Sequence, residues 1–342
     1  MRHTAIIPII LLLLASCRGE QVTIDPAEDA RRDSLALHVA VLPVMDCLPI
    51  YYAQRMGMFR EEGLDVRLQE YSALMDADTA LIRRRVELAY ADVTRVLERQ
   101  GDSLPLRVVA GTNGQLTLLT ARKKRIRALK HLSERMIALE RLSAADYWSD
   151  EIMREAGLEQ SAIYRPQVND VKLRWTMLRE QLVDGALLPE PYTTLAKSLG
   201  HNPLYTAADS VARWSCLAIR KETARDTMRS RQLKAFFRAY DRSVEVLNGK
   251  AGNADTLMQL WTKVYELPRE VADSIVLPTF PHAALPEAQD ADLAVQWLTK
   301  RERRIRKAAR DSLFLGGFTG QNETKNGRRD GAKKSNRGRA TN

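Results

Sequence analysis

The sequence predicts an α/β fold with a mainly parallel sheet, in a chain long enough for about two domains. From Leu35 onwards, short apolar or alternating segments alternate with longer segments of helical character. Gly and Pro residues mark many of the boundaries between them. The chain has 342 residues, whereas a typical domain has about 100–200. Length and alternation together therefore favour two α/β domains.

The predicted strands are short apolar runs that often stop at Pro or Gly. Residues 37–42, for example, are apolar or alternating and end at Pro43. The same pattern predicts further strands over residues 64–68, 88–91, 106–110, 136–139, 171–173, 186–188 and 216–219.

The predicted helices fill the segments between these strands and then dominate the C-terminal part. Pro49 is well placed to open a helix over 50–56, and Gly57 to end it. Similar signals predict helices over 76–85, 93–100, 144–155, 175–183, 195–199, 230–247, 254–265, 269–275 and 290–310.

The first 17 residues have the features of a secretory signal. Arg2 and His3 precede an apolar run over residues 5–15, whose 11 residues are too few for a bilayer span of roughly 20. Leu14-Ala15-Ser16-Cys17 resembles the bacterial lipobox, in which the cysteine is lipidated before cleavage. The resemblance implies a signal peptide over 1–16, a lipid anchor on Cys17 and a mature protein that faces the periplasm or the cell exterior. An ordinary signal peptide with an incidental cysteine is the alternative.

Residues 17–34 are predicted to form a tether, because they are mostly polar, include Pro26 and have no apolar period. Two cysteines, Cys47 and Cys216, remain beyond the anchor. They could form one disulfide or stay as buried thiols that pack as small core residues. The sequence leaves both alternatives open.

The net charge of +10 is concentrated at the C-terminus. Residues 300–342 carry 14 basic and 4 acidic side chains, so residues 1–299 carry 39 of each sign. The basic stretch 300–307 has no aromatic side chain on which a single-stranded nucleic acid could stack. We therefore predict no nucleic-acid partner and a disordered basic tail over 313–342, with contact to anionic lipid as an alternative role for this region.

Four segments within residues 37–299 carry a family resemblance. They are 41–54 with Gly57-Met58-Phe59 and 61–66; 182–192, which contains Pro189-Glu190-Pro191-Tyr192; 233–248 with 267–268 and 271–273; and 276–278 with Pro281, Leu285-Pro286 and Trp297-Leu298. In this order they resemble the nitrate/sulfonate/taurine and thiamine-precursor substrate-binding proteins of ABC importers, which are type II periplasmic binding proteins.

This resemblance implies a two-lobed fold in which each lobe is a mainly parallel sheet flanked by helices. Lobe one would contain residues 35–115 and 214–312, which include the C-terminal helices, and lobe two residues 116–213. A small-molecule ligand would bind in the cleft between the lobes, which would close by a hinge motion. The protein would deliver this ligand to the permease and ATPase subunits of an importer, as a monomer and without a cofactor.

Loops that follow strands are the places where such a cleft offers contacts to a ligand. In lobe one the candidate ligand-binding residues are Asp46, Ser72, Asp92, Thr112 and Asn113. Their side chains supply carboxylate, hydroxyl and amide groups for hydrogen bonds. Asp46, Ser72 and Asp92 also precede predicted helices, so each could cap a helix N-terminus instead.

In lobe two the candidates are Ser143 and Tyr147, at the start of the predicted helix over 144–155, and Glu190 and Tyr192, after the predicted strand over 186–188. Two prolines flank Glu190 and would preorganise its carboxylate, and Tyr192 could stack on a ring. A salt bridge at the interlobe boundary is the alternative role for Glu190.

The candidate carboxylates also bear on the class of ligand. Residues 140–146 contain no glycine, which disfavours an anion cradle made of backbone N–H groups. Glu190 and Asp46 favour a ligand with hydrogen-bond donors, such as an amine or an aminopyrimidine. A sulfonate or related anion is the other candidate.

An enzyme is an alternative to a binding protein. The thiamine-pyrimidine synthases share this fold class, but they depend on a reactive Lys and His pair that has no clear counterpart here. The five histidines show no metal-ligand spacing, and neither a nucleophile elbow nor a P-loop occurs. We predict neither enzymatic activity nor a metal site. A lipoprotein that uses this fold as a sensor or adaptor, without an importer, is the remaining alternative.

Overall fold

The computed structural model describes residues 26–100, 105–207 and 214–319. Cys17 and the predicted signal peptide lie outside these residues. A short N-terminal unit ends at Ala36, and a large unit begins at Leu37. The N-terminal unit contains helix α1, Pro26–Leu35, so the predicted tether includes a helix. Proline is well suited to the first turn of a helix, and Arg32 lies 2.6 Å from Glu28 one turn earlier.

The strands of the large unit form two sheets. They are β1 (Leu37–Val41), β2 (Val66–Glu70), β3 (Leu88–Asp92), β4 (Leu106–Gly111), β5 (Leu116–Thr120), β6 (Ile137–Ala138), β7 (Gly185–Pro189), β8 (Asn202–Thr206) and β9 (Ser215–Arg220).

Helices cover both sheets and make up most of the C-terminal part. They are α2 (Leu48–Arg55), α3 (Met58–Glu61), α4 (Leu74–Ile82), α5 (Val93–Arg99), α6 (Ala144–Glu155), α7 (Val171–Arg179), α8 (Tyr192–Ser198), α9 (Lys221–Arg225), α10 (Thr227–Asn248), α11 (Ala254–Lys263), α12 (Arg269–Ala272), α13 (Ala288–Lys300) and α14 (Lys307–Asp311).

The five-stranded sheet has the order β2-β1-β3-β9-β4. Strand β1 is parallel to β2 and β3, whereas β9 is antiparallel to both of its neighbours. Four of the five strands therefore run in the same direction, so the sheet is mixed but, as predicted, mainly parallel. The exception is β9, which returns from the other sheet and enters between β3 and β4 from the opposite end.

The four-stranded sheet has the order β6-β7-β5-β8 and is also mixed. Strands β6 and β7 are parallel, and β5 is antiparallel to β7 and β8. We call the part built on the five-stranded sheet lobe one and the part built on the four-stranded sheet lobe two. The chain passes from lobe one to lobe two between β4 and β5, and it returns between β8 and β9.

Three differences from the predicted elements lie in lobe two and the C-terminal part. Residues 171–173 belong to helix α7 and not to a strand, because Asp170 caps this helix by accepting the N–H of Leu173 at 2.8 Å. Strands β5 and β8 were not predicted. Strand β8 lies at the sheet edge and contains Pro203, which edge strands tolerate. The helix predicted over 290–310 ends at Lys300.

The predicted disordered tail begins too early. The Val108 N–H donates to Leu313 O and the Leu315 N–H to Val108 O, each at 2.9 Å, so this segment runs alongside β4. Leu313 is fully buried and Phe318 is nearly so. The apolar side chains over 313–319 therefore pack on lobe one, and the prediction is wrong for them. Residues 320–342 lie outside the described residues.

The main hydrophobic core continues through both lobes, and a smaller cluster lies between α6 and the sheet of lobe two. Cys47 and Cys216 are both buried as free thiols, which decides between the two alternatives for this pair. Among the helices in the described parts of the chain, none has the length and apolar character needed to cross a membrane.

Candidate functional site

The two lobes meet at the ends of their strands and line a cavity of about 60 Å³. One water molecule needs about 10–15 Å³ of such volume, so the cavity holds only a few water molecules and a larger ligand requires the lobes to separate. Both lobes contribute to the wall. Its polar side chains belong to Ser72, Tyr90, Asp92, Gln115, Glu140, Ser143, Asn169, Arg174 and Ser215.

Asp92 links the two lobes at this cavity. It ends β3 and caps α5, where its Oδ1 accepts the Thr94 N–H at 2.8 Å. Its Oδ2 accepts the Ala144 N–H at the N-terminus of α6, also at 2.8 Å. The residue is 3% exposed, and this burial raises the pKa of its carboxyl group even though the hydrogen bonds lower it. The predicted capping role is therefore real, and the same side chain also contacts lobe two.

Ser143 is the second cap of α6. Its Oγ accepts the Ala145 N–H at 3.1 Å and donates to Glu140 O at 2.8 Å. Thr94 of lobe one donates to Leu142 O at 3.1 Å beside it. The first N–H groups of α6 are thus paired within the protein, by one side chain from each lobe.

Ser72 forms a second link between the lobes. It follows β2, and its hydroxyl donates to Asp170 Oδ2, on the residue that caps α7. Its backbone O accepts the Val171 N–H at 2.8 Å. Because Ser72 also lines the cavity, this predicted residue lies at the site in contact with lobe two.

A buried ionic group adjoins the cavity and contributes Glu140 to its wall. Arg95 of lobe one lies 2.6 Å from Asp78 and 3.4 Å from Glu140 of lobe two, measured from its terminal nitrogens to the carboxylate oxygens. Burial raises the pKa of Glu140 to about 7, against the opposing effects of Arg95 and Arg174. Glu140 lines the cavity, so a carboxyl group that titrates near neutral pH faces the ligand space.

Arg174 supplies a positive charge from lobe two. It lies on α7, is 5% exposed and donates from Nη1 to Val168 O at 2.8 Å. Its Nε has no hydrogen-bond partner among the described residues. Desolvation lowers the pKa of the guanidinium, and Glu140 opposes this shift. Arg174 lines the cavity, and a buried N–H donor without a partner is unfavourable, so it would gain from an acceptor atom of a ligand that reaches it when the lobes move.

Asp46 lies behind the lobe-one wall and does not line the cavity. Its Oδ2 accepts the Tyr90 hydroxyl at 3.0 Å and the Thr112 hydroxyl at 2.8 Å. Desolvation is the main cause that raises the pKa of its carboxyl group. Asp46 does not cap α2, which begins without a side-chain cap. Its role in the structure is to hold Tyr90, which is in the wall.

Gly114 brings the backbone close to this network. A Cβ at this position would lie 1.9 Å from Ser215 Oγ and 3.0 Å from Asp46 Oδ2. No side chain fits there without moving Ser215, so the glycine is required by this close approach.

Besides Asp46 and Thr112, four predicted site residues lie outside the cavity wall: Glu190, Asn113, Tyr147 and Tyr192. Glu190 caps α8, because its Oε2 accepts the Thr194 N–H at 3.0 Å. Its link to lobe one is made by its backbone O, which accepts the Met45 N–H at 2.8 Å. Asn113 donates to Thr279 O at 3.2 Å.

The two aromatic candidates are buried elsewhere between the lobes. Tyr147 packs against Trp214 with ring centroids 4.5 Å apart. Tyr192 is buried, and its hydroxyl has no hydrogen-bond partner among the described residues. It lies in a separate groove with Trp175 and Tyr265. Neither ring lies in the cavity wall, and both contribute to contacts between the lobes.

A second group of contacts holds α6 of lobe two to α13 of lobe one. Trp297 Nε1 donates to Asp150 Oδ2 at 2.9 Å, and Arg301 Nη2 lies 2.6 Å from the same oxygen. Arg165 lies 3.1 Å from the other Asp150 oxygen, and Arg301 also approaches Asp146 at 3.4 Å. We call these five residues the outer cluster. None of them lines the cavity.

Sequence reasoning missed Arg174 and Glu140. Arg174 shares one helix face with Val171, Trp175 and Leu178, all of them buried. Apolar residues at this spacing, preceded by Asp170, are the signal that identifies a helix here and a charged residue on its buried face. Glu140 has no comparable local signal, because its burial depends on Arg95 from the other lobe.

The comparisons with known proteins identify a family and a fold. The NMT1/THI5-like family model matches residues 45–250, which is more than half of the chain. No curated protein sequence matches the chain.

Three solved structures illustrate the structural similarity. The alkanesulfonate-binding protein SsuA from Xanthomonas axonopodis pv. citri, bound to MOPS, has a TM-score of 0.69 at 14% identity, over 83% of this chain and 99% of that one. The periplasmic nitrate-binding protein NrtA from Synechocystis PCC 6803 has a TM-score of 0.66 at 10% identity, over 83% and 86%. The desulfurization enzyme DSZB has a TM-score of 0.59 at 11% identity, over 85% and 99%.

These similarities confirm the predicted two-lobed α/β fold of the periplasmic binding proteins. The first two structures are binding proteins and the third is an enzyme. At such identities the fold alone is shared, so the chemistry must be argued from the residues of the cavity.

Proposed function

The chain belongs to the NMT1/THI5-like family, and from this premise we propose that it is a substrate-binding protein of an ABC importer that captures a small molecule between its lobes. The observation that carries the proposal is the cavity wall, to which both lobes contribute polar side chains. Asp92 and Ser72 reach from lobe one to backbone and side-chain groups of lobe two. A ligand that contacts both lobes there favours the closed arrangement.

We place the hinge for the proposed opening of the lobes at the two crossings between them. We propose lobe one as residues 35–115 and 214–312 and lobe two as residues 116–213. The crossings connect β4 to β5 and β8 to β9, and residues 208–213 of the second crossing lie outside the described residues. Relative rotation of the two sheets at these crossings leaves each sheet intact. Opening exposes the cavity and enlarges it to admit a ligand.

For the ligand we propose a small molecule that has both N–H donors and an acceptor atom, such as an aminopyrimidine. Asp92 and Glu140 offer carboxylate oxygens in the wall, and Arg174 offers an N–H group. The side chains of Asp46 and Glu190, which the sequence predicts as ligand contacts, do not line the cavity. An amino group paired with a ring nitrogen matches a carboxylate beside a guanidinium.

Thermal unfolding of the full chain tests this ligand class, in a buffer that contains no sulfonate, phosphate or amine. An aminopyrimidine thiamine precursor should raise the melting temperature, whereas ethanesulfonate and nitrate should not. Arg174→Met should abolish the rise, and Arg179→Met should not, because Arg179 lies on the same helix but pairs with Glu180 at the surface. Stabilisation by ethanesulfonate alone would contradict the proposed class.

We also propose that the protein binds without turnover. The cavity wall contains neither cysteine nor histidine among the described residues, and burial raises the pKa of both Cys47 and Cys216, so neither thiol is activated. The proposed ligand should therefore be recovered unchanged after prolonged incubation with the protein, as judged by mass spectrometry. Appearance of a product would favour an enzyme instead.

The proposed location is the outer face of a membrane, with Cys17 as the lipidated residue and an importer permease and ATPase as partners. Mass spectrometry of the N-terminal peptide tests the lipid directly. Cys17→Ser should release the full chain from the membrane fraction of the producing cells, and Cys47→Ser should not. Retention of the Cys17→Ser protein in the membrane would contradict the anchor while leaving ligand capture in the cleft untouched.

A further inference from the structure

The end of lobe two that is remote from the cleft carries a basic segment, residues 122–130. Strand β5 begins at Leu116 in the cavity wall and ends at Thr120, and at about 3.3 Å per residue these positions are roughly 13 Å apart. The basic segment follows β5 at this far end. It contains no Asp or Glu, and all of its Lys and Arg residues are exposed: Arg122, Lys123, Lys124, Arg125, Arg127 and Lys130.

The backbone of the basic segment is fixed by buried groups. Ile126 is 2% exposed and packs in the smaller hydrophobic cluster of lobe two. Its backbone O accepts the Thr120 hydroxyl and the Asn202 side-chain amide, each at 3.0 Å. The charged side chains on both sides of Ile126 are therefore held close together at the surface. Like charges held together repel one another, so an anionic partner is favoured there.

Few carboxylates compensate this charge. Lys124 Nζ lies 3.0 Å from Asp184 Oδ1, and no other carboxylate within the described ranges forms a salt bridge with the basic segment. The neighbouring Glu180 pairs with Arg179 at 2.8 Å. Residues 122–136 contain seven Lys and Arg residues and one acidic residue, Glu134. An excess of five positive charges remains when Asp184 is counted with Glu134.

Three large apolar side chains are exposed on the same end of lobe two. Met136 is 40% exposed, Tyr164 64% and Leu182 65%. Lobe two thus combines cations with exposed apolar groups, which together mark a surface for interaction with a partner.

Hydrogen bonds place these apolar residues beside the basic segment. The Met136 N–H donates at 2.9 Å to Asp184, the residue that pairs with Lys124. The Lys123 N–H donates at 3.3 Å to the side chain of Gln181, which precedes Leu182. Tyr164 is joined to the residues on either side of Met136, because its N–H donates to Arg135 O at 2.9 Å and its O accepts the Ile137 N–H at 2.8 Å.

We propose that this basic surface, which consists of residues 122–130 with Met136, Tyr164 and Leu182, binds the anionic lipid headgroups of a membrane. Lys and Arg residues near an anionic membrane are attracted to it. Tyrosine and aliphatic side chains beside them can enter the boundary between headgroups and acyl chains. A nucleic-acid backbone has no such use for Met136 and Leu182, so lipid is the favoured partner. The proposal depends neither on the ligand of the cleft nor on the anchor at Cys17.

Co-sedimentation with vesicles tests the proposal on the full chain with Cys17→Ser, which removes the proposed lipidation site. The vesicles contain phosphatidylcholine alone, or phosphatidylcholine and phosphatidylglycerol in equal parts. The protein should bind the anionic vesicles at least about tenfold more tightly than the neutral ones, and salt should reduce this preference. Equal binding to both kinds of vesicle would overturn the proposal. Binding to a DNA duplex without binding to the anionic vesicles would assign a nucleic acid instead and would also overturn it.

Substitutions assign the binding to the basic surface. The triple variant Lys123→Gln, Arg127→Gln, Lys130→Gln should weaken binding to anionic vesicles by at least about tenfold, because each cation near the membrane contributes roughly fivefold. The matched control is Lys300→Gln, Arg304→Gln, Lys307→Gln, which removes three exposed cations from the C-terminal part. It should weaken binding much less. Equal weakening by both variants, a larger effect of the control, or no effect of the first variant would overturn the assignment.

A fluorescent label tests whether the apolar side chains touch the membrane. Cys47 and Cys216 are buried, so in the Cys17→Ser chain a thiol reagent should label an introduced surface cysteine selectively. An environment-sensitive dye on Tyr164→Cys should shift its emission to shorter wavelength when anionic vesicles are added. The same dye on Met228→Cys, an exposed position of α10 in lobe one, should not. An unchanged spectrum at position 164, or equal shifts at both positions, would overturn the proposed contact.

Discussion

Helix α6 of lobe two is held by lobe one at two places that differ in chemistry. At its N-terminus, in the cavity wall, Asp92 accepts the Ala144 N–H. Nearly two turns further along, the outer cluster places Asp150 between Trp297 and Arg301 of lobe one and Arg165 of lobe two. The first contact is one carboxylate with backbone donors, and the second is a network of charged side chains joined by the indole N–H of Trp297.

This difference separates two tasks of the interlobe surface. A ligand in the cavity can exchange its own hydrogen bonds for those of Asp92, because Asp92 lines the wall. The outer cluster does not line the wall, so its contacts do not change directly with the ligand. We therefore expect the outer cluster to set the stability of the closed protein, and the contact of Asp92 with α6 to couple that stability to the ligand.

The largest expected effect comes from breaking the outer cluster. Asp150→Ala leaves the guanidinium groups of Arg165 and Arg301 and the indole N–H of Trp297 without their shared acceptor. The free energy of unfolding should fall by about 4 kcal/mol, which is typical for removal of one partner of a buried ionic group. Urea denaturation measures this change.

Glu151→Ala is the matched control for that prediction, because Glu151 is the next residue of α6. Its carboxylate pairs with Arg154 on the surface of the helix, so its removal should leave the stability nearly unchanged. Similar losses in the two variants would show that the outer cluster contributes no more stability than a surface ion pair. This result would contradict the expectation that the outer cluster sets the stability of the closed protein.

The next largest effect is a dependence of the free energy of unfolding on pH, which comes from Glu140 in the cavity wall. Burial raises the pKa of Glu140 to about 7, above its unfolded value, so the folded protein binds a proton that the unfolded chain releases. The resulting stability is fully present below about pH 4.5 and is lost as the pH rises through about 7. The full change is about 3 kcal/mol.

Comparison with Glu140→Gln isolates this change from that of other carboxyl groups. The stability of the wild type relative to the variant should fall between pH 5 and pH 8, when urea denaturation is repeated across this range. A stability difference that stays constant with pH would show that the pKa of Glu140 is not raised by burial. The predicted pH dependence of the cavity wall would then be wrong.

The elements that the sequence predicts are those whose signals lie within a few neighbouring residues. Most strands and helices of lobe one follow from apolar runs bounded by Pro and Gly, as in 37–42 before Pro43. Strand β8 is not predicted, because Pro203 disfavours a strand. The structure accommodates this proline since β8 lies at the edge of the sheet. The segment 171–173 alternates like a strand, but the cap at Asp170 makes it helical.

The site follows the same rule. Asp92, Ser72 and Ser143 were found because a polar residue after a strand or before a helix is a local signal, and all three line the cavity. Glu190 has the same signal, but its side chain turns to cap α8. Glu140 is not predicted, because its burial depends on pairing with Arg95 of the other lobe, which no local pattern shows.

A smaller effect is expected at the contact of Asp92 with α6. Asp92→Asn retains one acceptor oxygen, so either the Thr94 N–H or the Ala144 N–H loses its partner. The loss should be about 2 kcal/mol, and hydrogen exchange of the Ala144 amide should accelerate if the lobes open. Asp76→Asn, at an exposed position in the first turn of α4, is the control and should change neither. An unchanged Ala144 amide would place the loss at Thr94, within lobe one.

The smallest effect tests whether the two caps of α6 act independently. Ser143→Ala removes the acceptor of the Ala145 N–H and should lower the free energy of unfolding by about 1 kcal/mol. Asp92 serves the neighbouring Ala144 N–H from the other lobe. If the two caps serve separate donors, the loss in the Asp92→Asn, Ser143→Ala double variant should equal the sum of the single losses to within about 0.5 kcal/mol. A smaller combined loss would mean that removal of either cap already frays this end of α6, and that the contact between the lobes and the helix end form one unit.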